Sequence, residues 1–434
     1  MKSFQRFSAL FLVFALVAAG VFAGGQGEEE AELIDDEDLT GEVEVLHWWT
    51  SGGEAEALQA IIDAVEEEGH SWEDFAVAGG GGDEAMTTLR SRAVAGNPPT
   101  AAQVKGPQIQ DWAGEGFLAD LTPVAEDQGW DDIIPEVVAD IMKYEGNYVA
   151  VPVNVHRMNW MWVNPDLFEE ADVDIPTTWD EFEEAADELE DAGILPVAWT
   201  GGDIWEASVL ELIIAGVGGV DFYRDAMVRR DPNAVDSDTM IEALEILKMI
   251  ESYADEGASA REWNESTAMV IEGEAAIQFM GDFAKGEFIV ADQEAGEDYV
   301  AVPAPETEDQ FMFNIDSFIF FDQKDEADIA AQQDLARIIL EPDVQTAFNQ
   351  VKGSIPVRTD IDSDPFDLPA QDSMEAFIAA DENDALIPSM AHEMAVDRAV
   401  RGAILDTVTT YVNTDDMSAE EAASELAAAV AGAR

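Results

Sequence analysis

The segment VEVLHWWTSGGE (43–54) ends an apolar strand pattern in two adjacent indoles, Trp48 and Trp49, followed by small residues and the carboxylate of Glu54. Indole faces match the CH faces of a sugar ring, and a carboxylate at a helix start accepts hydroxyl protons. A lone strand Trp is ordinarily core. Two in succession cannot both share one core face, because alternate residues of a strand point opposite ways; one ring leaves that face or the strand has already ended. Lysine is informative for a different reason. Against 94 acidic residues stand only 20 basic ones. Within that scarcity Lys105 (AAQVKGPQ) and Lys352 (FNQVKGSIPV) occupy small, apolar Val-Lys-Gly contexts. An ammonium kept there points to a buried polar partner; the alternative is an ordinary surface lysine.

Other polar residues fall at strand ends. His156 and Arg157 close VAVPVNV, Asp282 and Phe283 follow QFMG, and Asn314 and Asp316 interrupt the apolar run FMFNIDSFIFF, where a polar group needs a partner. His392 lies in IPSMAHEMAV, which reads as helical. Each alone is explained by a satisfied structural role. With the paired indoles they suit a polyhydroxylated ligand, bound where open α/β sheets bind ligands. The four histidines (His47, His70, His156, His392) lack metal-ligand spacing and there is no cysteine, so neither metal nor cofactor is expected. No Gly-x-Ser-x-Gly elbow is present, and the four glycines at 79–82 lack the Lys-Ser/Thr of a phosphate loop. Nothing here argues for an enzyme.

The elements that must position these residues alternate. Strand patterns cover 43–47, 75–78, 101–105, 147–155, 194–199, 275–280, 299–303 and 311–321. Helical periodicity covers 54–68, 83–95 (with Asp83 as cap), 238–255 and 267–271, and capping boxes are predicted at Thr178/Glu181 and Ser418/Glu421. The strand patterns at 299–303 and 311–321 could return the chain to the first unit. This alternation predicts an α/β architecture in two lobes.

The N-terminus reads as an export signal: Lys2 and Arg6, a nearly unbroken apolar run over 7–23, and cleavage after Ala23. No later stretch is apolar enough to span a bilayer, so the mature chain is expected to be water-soluble and extracytoplasmic. The absence of cysteine excludes a thioether lipid anchor and disulfides. A formal charge of −74 disfavours nucleic acid as a partner. Disorder does not account for it, since 47% of residues are hydrophobic and 11 are Trp. Adaptation to high salt does, because salt screens the self-repulsion.

HWWTSGGE, AVAGGGGDEAMTTLRSRAVAGNPPTAAQVKGP, YVAVPVNVHRMNWMWVNPDLF, PTTWDEF, MGDFAKGEF, FNIDSF and NQVKGSIPVR, in this order, resemble the glucose/mannose-binding proteins of ABC importers, in the extracellular solute-binding protein superfamily. The resemblance implies a two-lobed α/β periplasmic-binding-protein fold with a hinge and a ligand cleft between the lobes. It implies a signal peptide (1–23), an acidic tether (24–40), a first lobe built from 41–152 and 306–353, and a second from 153–305 and 354–434. Carried onto this chain, the cleft residues are Trp48, Trp49, Glu54, Lys105 and Phe283, with Asn314, Asp316, Lys352 and His392, and then Gln103 and His156. Phe283 stands where the family usually has Trp, a smaller stacking face without a ring N–H. The implied function is capture of a monosaccharide, glucose first and then mannose or galactose, by a periplasmic monomer that delivers it to ABC permease subunits. His392 is expected to tune binding near neutral pH. The alternatives are a receptor for another small carbohydrate or polyol, and a secreted glycoside hydrolase or lectin-like protein.

Overall fold

The computed structural model describes residues 33–34, 39–78, 82–414 and 416–432. The export signal, most of the acidic stretch at 24–40 and the glycines at 79–81 lie outside the described residues. In chain order the principal strands are β1 (Glu42–His47), β2 (Ser71–Ala76), β3 (Ala101–Val104), β4 (Ala150–Arg157), β5 (Trp160–Val163), β6 (Leu195–Val197), β7 (Ala275–Phe279), β8 (Val300–Pro303), β9 (Phe311–Phe320) and β10 (Leu386–Pro388). The helices that matter to the site are α1 (Gly52–Glu67), α2 (Asp83–Val94), α3 (Asp203–Tyr223), α4 (Trp263–Ile271), α5 (Ala284–Val290), α6 (Pro342–Lys352), α7 (Leu368–Glu382) and α8 (Arg398–Val412).

Two sheets organise two lobes. The first runs β10-β9-β3-β1-β2, with β4 also paired to β9; the second runs β8-β5-β7-β6. β1 pairs in parallel with β2 on one side and β3 on the other; β1 and β3 are largely buried, while β2 at the edge of the sheet is mostly exposed. β9 is buried along its whole length. Its alternation divides it: Phe311, Phe313 and Ile315 enter the first core, while Met312 packs in the second. Asn314 and Asp316 continue the Met312 face and so look toward the other lobe.

The chain crosses between lobes at 157–160, at 303–311 and just after 388. Asn159 ties the first two crossings together. Its Oδ1 accepts the Met312 N–H at 3.1 Å, and its Nδ2 donates to Thr307 Oγ1 and the Gln310 carbonyl, both at 3.1 Å. Lys285 of α5 reaches Asp367, the N-cap of α7, at 2.7 Å. That ion pair joins the second lobe to the first.

Several expectations are corrected. β8 pairs antiparallel with β5 and stays in the second lobe, so only β9 returns to the first sheet. The last change of lobe comes near 387, not 354. Ile355, Val357 and the buried face of α7 join the first core, where Phe377 meets Phe311 edge-on at 5.1 Å. α2 takes Gly82 as its N-cap, so Asp83 is its first residue. Thr178 caps its helix by accepting the Glu181 N–H, but the Glu181 side chain reaches Thr177 instead of closing the box. Ser418 and Glu421 do close theirs.

Candidate functional site

A narrow cavity lies between the lobes. It gathers Trp48, Trp49, Glu54, Lys105, His156, Phe283, Asn314, Asp316, Lys352 and His392 from the expected set, and adds Trp205 and Trp263. Gln103 stays one layer behind. Its Oε1 accepts the Trp48 N–H at 3.1 Å and its Nε2 donates to Asp316 Oδ1 at 3.1 Å.

The first-lobe wall grows from strand ends and helix starts. After β1 the Trp49 N–H donates to His47 Nδ1 at 3.2 Å, which turns the chain and sends the two indoles to different places. Trp48 lies along the cavity beside Lys105, whose Nζ is 5.1 Å from its ring. Trp49 packs at 5.2 Å on Phe348 and 5.6 Å on Phe318, so it is both core and wall. Glu54 has two roles. It closes a capping box with Ser51 at the start of α1 and pairs through Oε1 with Lys352 Nζ at 3.2 Å. Lys352 ends α6, and Gly353 follows at φ 91°; a Cβ there would lie 2.5 Å from the Asp282 carbonyl, so only glycine lets the second lobe come this close. On the neighbouring strands His156 of β4 stands opposite Asn314 of β9.

The second-lobe wall is mostly rings. Phe283 sits in a collar of Trp263 (5.1 Å, edge-on), His156 (5.7 Å), Trp205 (6.0 Å) and His392 (6.2 Å). Trp205 and Trp263 escaped the sequence reading because they lie in helices α3 and α4, where an aromatic among apolar neighbours reads as core. His392 is not helical. It follows β10 in a turn, because Glu211 of α3 captures the backbone N–H groups of Met390 and Ala391 that a helix would have pointed elsewhere. Gly106, at φ 50°, lets the end of β3 run against this turn; a Cβ would lie 2.1 Å from the Glu393 carbonyl.

Charges across the cavity are balanced and mostly paired. His156 bridges two carboxylates, Asp282 at Nδ1 and Asp316 at Nε2 (3.0 Å). Burial alone would lower its pKa, but the charge of Asp282, with hydrogen bonds to both carboxylates, raises it, so the imidazolium is favoured. Burial would raise the Asp316 carboxyl; the His156 bond and charge, with Lys105 and Lys352, hold it well below the usual carboxylate range. Lys105 differs. Among the described residues its Nζ has no hydrogen-bond or ion-pair partner, and burial pushes its pKa down against the pull of Asp316 and Glu393. Two other polar atoms of the lining, Asn314 Oδ1 and His392 Nε2, are buried without a partner. Burial takes His392 down to about 4, so it is neutral at neutral pH and does not titrate there as the sequence reading expected.

Two α/β lobes, three crossings and a charged aromatic cavity between them define a hinged ligand-capturing protein. The chain belongs to the bacterial extracellular solute-binding protein family, whose pattern matches residues 50–332. A probable sugar-binding periplasmic protein of Rhizobium meliloti is 44% identical over 90% of this chain and 94% of its own length. A xylose/arabinose-binding protein of Haloferax volcanii is 29% identical over 83% of this chain and 79% of its own. Among solved structures, a chitin oligosaccharide binding protein superposes with a TM-score of 0.76 at 17% identity, covering 90% of this chain and 98% of the other, a likeness of fold. The protein is extracytoplasmic, as its family and periplasmic relatives are, and no described helix is long and apolar enough to cross a membrane.

Proposed function

We propose that this chain captures a monosaccharide, glucose first with mannose or galactose next, and delivers it as a monomer to the transmembrane subunits of an ABC permease, without turnover. The observation that carries this is the trio of unpaired polar atoms facing one buried space. Lys105 Nζ can only donate, while Asn314 Oδ1 and His392 Nε2 are orphaned at the same lining. Buried polar atoms ordinarily have partners, so these await a ligand with several hydroxyls. The indole of Trp48 and the ring of Phe283 supply apolar faces for the same ligand. The near balance of Lys105, Lys352 and His156 against Glu54, Asp316 and Asp282 suits a neutral sugar over an acidic one. The name of the Rhizobium relative supports the sugar class.

A second reading is a pentose or small polyol receptor. The narrow cavity, Phe283 held tightly inside its collar, and the Haloferax relative's name favour it. Calorimetry at molar salt with glucose, mannose, galactose, xylose and arabinose separates the two. Saturable binding of one sugar per chain without new products is expected. Silence with glucose and micromolar binding of a pentose replaces the ligand and keeps the receptor. Glycoside cleavage abolished by Glu54→Gln would replace the receptor with a hydrolase. The charge of −74 further predicts a melting temperature that climbs from low to molar salt; a flat response removes the high-salt part of this reading.

A further inference from the structure

His392 is held by Ser389 and Glu211, buried groups outside the cavity lining. Ser389 Oγ lies 2.6 Å from Glu211 Oε1, 3.0 Å from the His392 backbone N–H and 3.2 Å from His392 Nδ1. A hydroxyl has one proton and two lone pairs. Glu211 is wholly buried on α3, and its Oε2 accepts the N–H groups of Met390 (2.7 Å) and Ala391 (3.1 Å). A carboxylate so filled with donors takes the Ser389 proton at Oε1. Ser389 Oγ then has only lone pairs to offer the imidazole, so Nδ1 must carry the hydrogen. With one hydrogen on a neutral ring, Nε2 is bare, and it is this nitrogen that lies buried and unpaired at the cavity.

We propose that Glu211, acting through Ser389, is a positioning residue that fixes His392 in its Nδ1–H tautomer, so that Nε2 is an obligate acceptor and the site selects a ligand whose hydroxyl donates at that point. The turn is braced for this. Tyr223 OH donates to the Pro388 carbonyl at 2.8 Å, and Arg401 of α8 donates to the Ala391 carbonyl at 2.7 Å. The rings of Trp205 and Phe283 flank the imidazole at 5.9 and 6.2 Å. The other charged groups facing it, Lys105 from the end of β3 and Arg401, oppose a second proton on the ring, and only Glu211 favours one. A fixed tautomer is a specificity device, because a bare nitrogen rejects any ligand atom that only accepts. The inference uses the sugar site of the preceding section, but the tautomer itself exists without ligand.

Glu211→Gln tests it directly. The Met390 and Ala391 N–H groups require the amide oxygen at the Oε2 place, so the amide NH2 faces Ser389. Ser389 then accepts from the amide and its own proton turns to Nδ1, which reverses the tautomer. Nitrogen-15 NMR of the labelled protein reads this, with the His392 signals identified by their loss in His392→Asn. In the wild type, Nδ1 should carry the hydrogen and Nε2 should resonate as a bare nitrogen; in Glu211→Gln the two should exchange. A protonated Nε2 in the wild type, or no exchange in the variant, overturns the proposal. If Glu211→Gln does not fold, Ser389→Ala serves: it should leave a mixture of tautomers, and an unchanged Nδ1–H form overturns the proposal. The ligand arm uses glucose and its monodeoxyfluoro derivatives, in which fluorine accepts but cannot donate. The wild type should bind one derivative about tenfold more weakly than glucose through its contact at Nε2, and Glu211→Gln should recover that derivative. Equal binding of every derivative by both proteins overturns the selectivity. If no glucose compound binds while the tautomer is as stated, the ligand assignment fails and the positioning role stands.

Discussion

The two walls of the cavity are built on opposite plans. The first-lobe wall presents charge: Glu54 with Lys352, His156 with Asp316, and the lone ammonium of Lys105 against Trp48. The second-lobe wall presents rings, with Trp205, Trp263 and Phe283 around one neutral imidazole. The charged wall is satisfied by protein partners apart from Lys105 and Asn314, with His156 reaching across to Asp282 of the second lobe, and is therefore organised before a ligand arrives. The ring wall supplies shape and, at His392, a single oriented acceptor. Affinity is thus expected to depend chiefly on the first wall, and the choice among sugars chiefly on the second.

The largest effect that could break this contrast belongs to the indoles. Trp49→Ala removes a ring packed on Phe348 and Phe318 and should cost stability by about 3–5 kcal/mol, measured by urea unfolding at molar salt. Trp48→Ala should lower affinity by more than tenfold by calorimetry. Trp205→Ala, on the ring wall and only partly buried, should cost less and widen the range of sugars accepted. Equal losses for Trp48 and Trp205 would erase the division of labour.

The lysines sharpen the comparison inside the charged wall. Lys352→Met leaves the Glu54 carboxylate unpaired, so stability and affinity should fall together. Lys105→Met removes an ammonium without a protein acceptor, so stability should hold or rise while affinity drops by about tenfold or more. Parallel losses in the two variants would mean that Lys105 is structural.

The histidines give the smallest effect and the clearest sign. The His156 pKa is raised in the folded state, so its contribution to stability is full below the unfolded value near 6.5 and is lost as pH rises through the folded value. The His392 pKa is lowered to about 4, so the unfolded chain binds the extra proton first, and stability is lost as pH falls from about 6.5 toward 4. Melting temperatures across pH should show His156→Asn flattening the alkaline slope and His392→Asn the acid slope. The same slope changing in both variants would contradict these opposed environments.

The two walls also differ in how legible they were. First-wall residues sit in short motifs at strand ends, where a polar or aromatic side chain breaks an apolar pattern, and FNIDSF shows this most plainly. Trp205 and Glu211 lie inside the long apolar helix α3, and periodicity hides any residue that fits its stripe. His392 was assigned to a helix because SMAHEMAV has helical composition. Tertiary capture of two backbone N–H groups by Glu211, 179 and 180 residues away, overrode that local preference. The strand at 299–303 was read as one that could return to the first unit, although the lobe bounds kept it in the second; an apolar run does not name its neighbour, and Val300 pairs with Val163. Alternation of strands and helices was enough for the architecture. Lobe boundaries were not, since helices such as α7 declare their partner only by packing.

The Lys285–Asp367 contact is a fastening between the lobes, and His156 with Asp282 is a second one. Any ligand enclosed by walls from different lobes departs only when they part. Parting the lobes therefore breaks two charged contacts of the protein's own, Lys285–Asp367 and His156–Asp282, whatever the cleft holds.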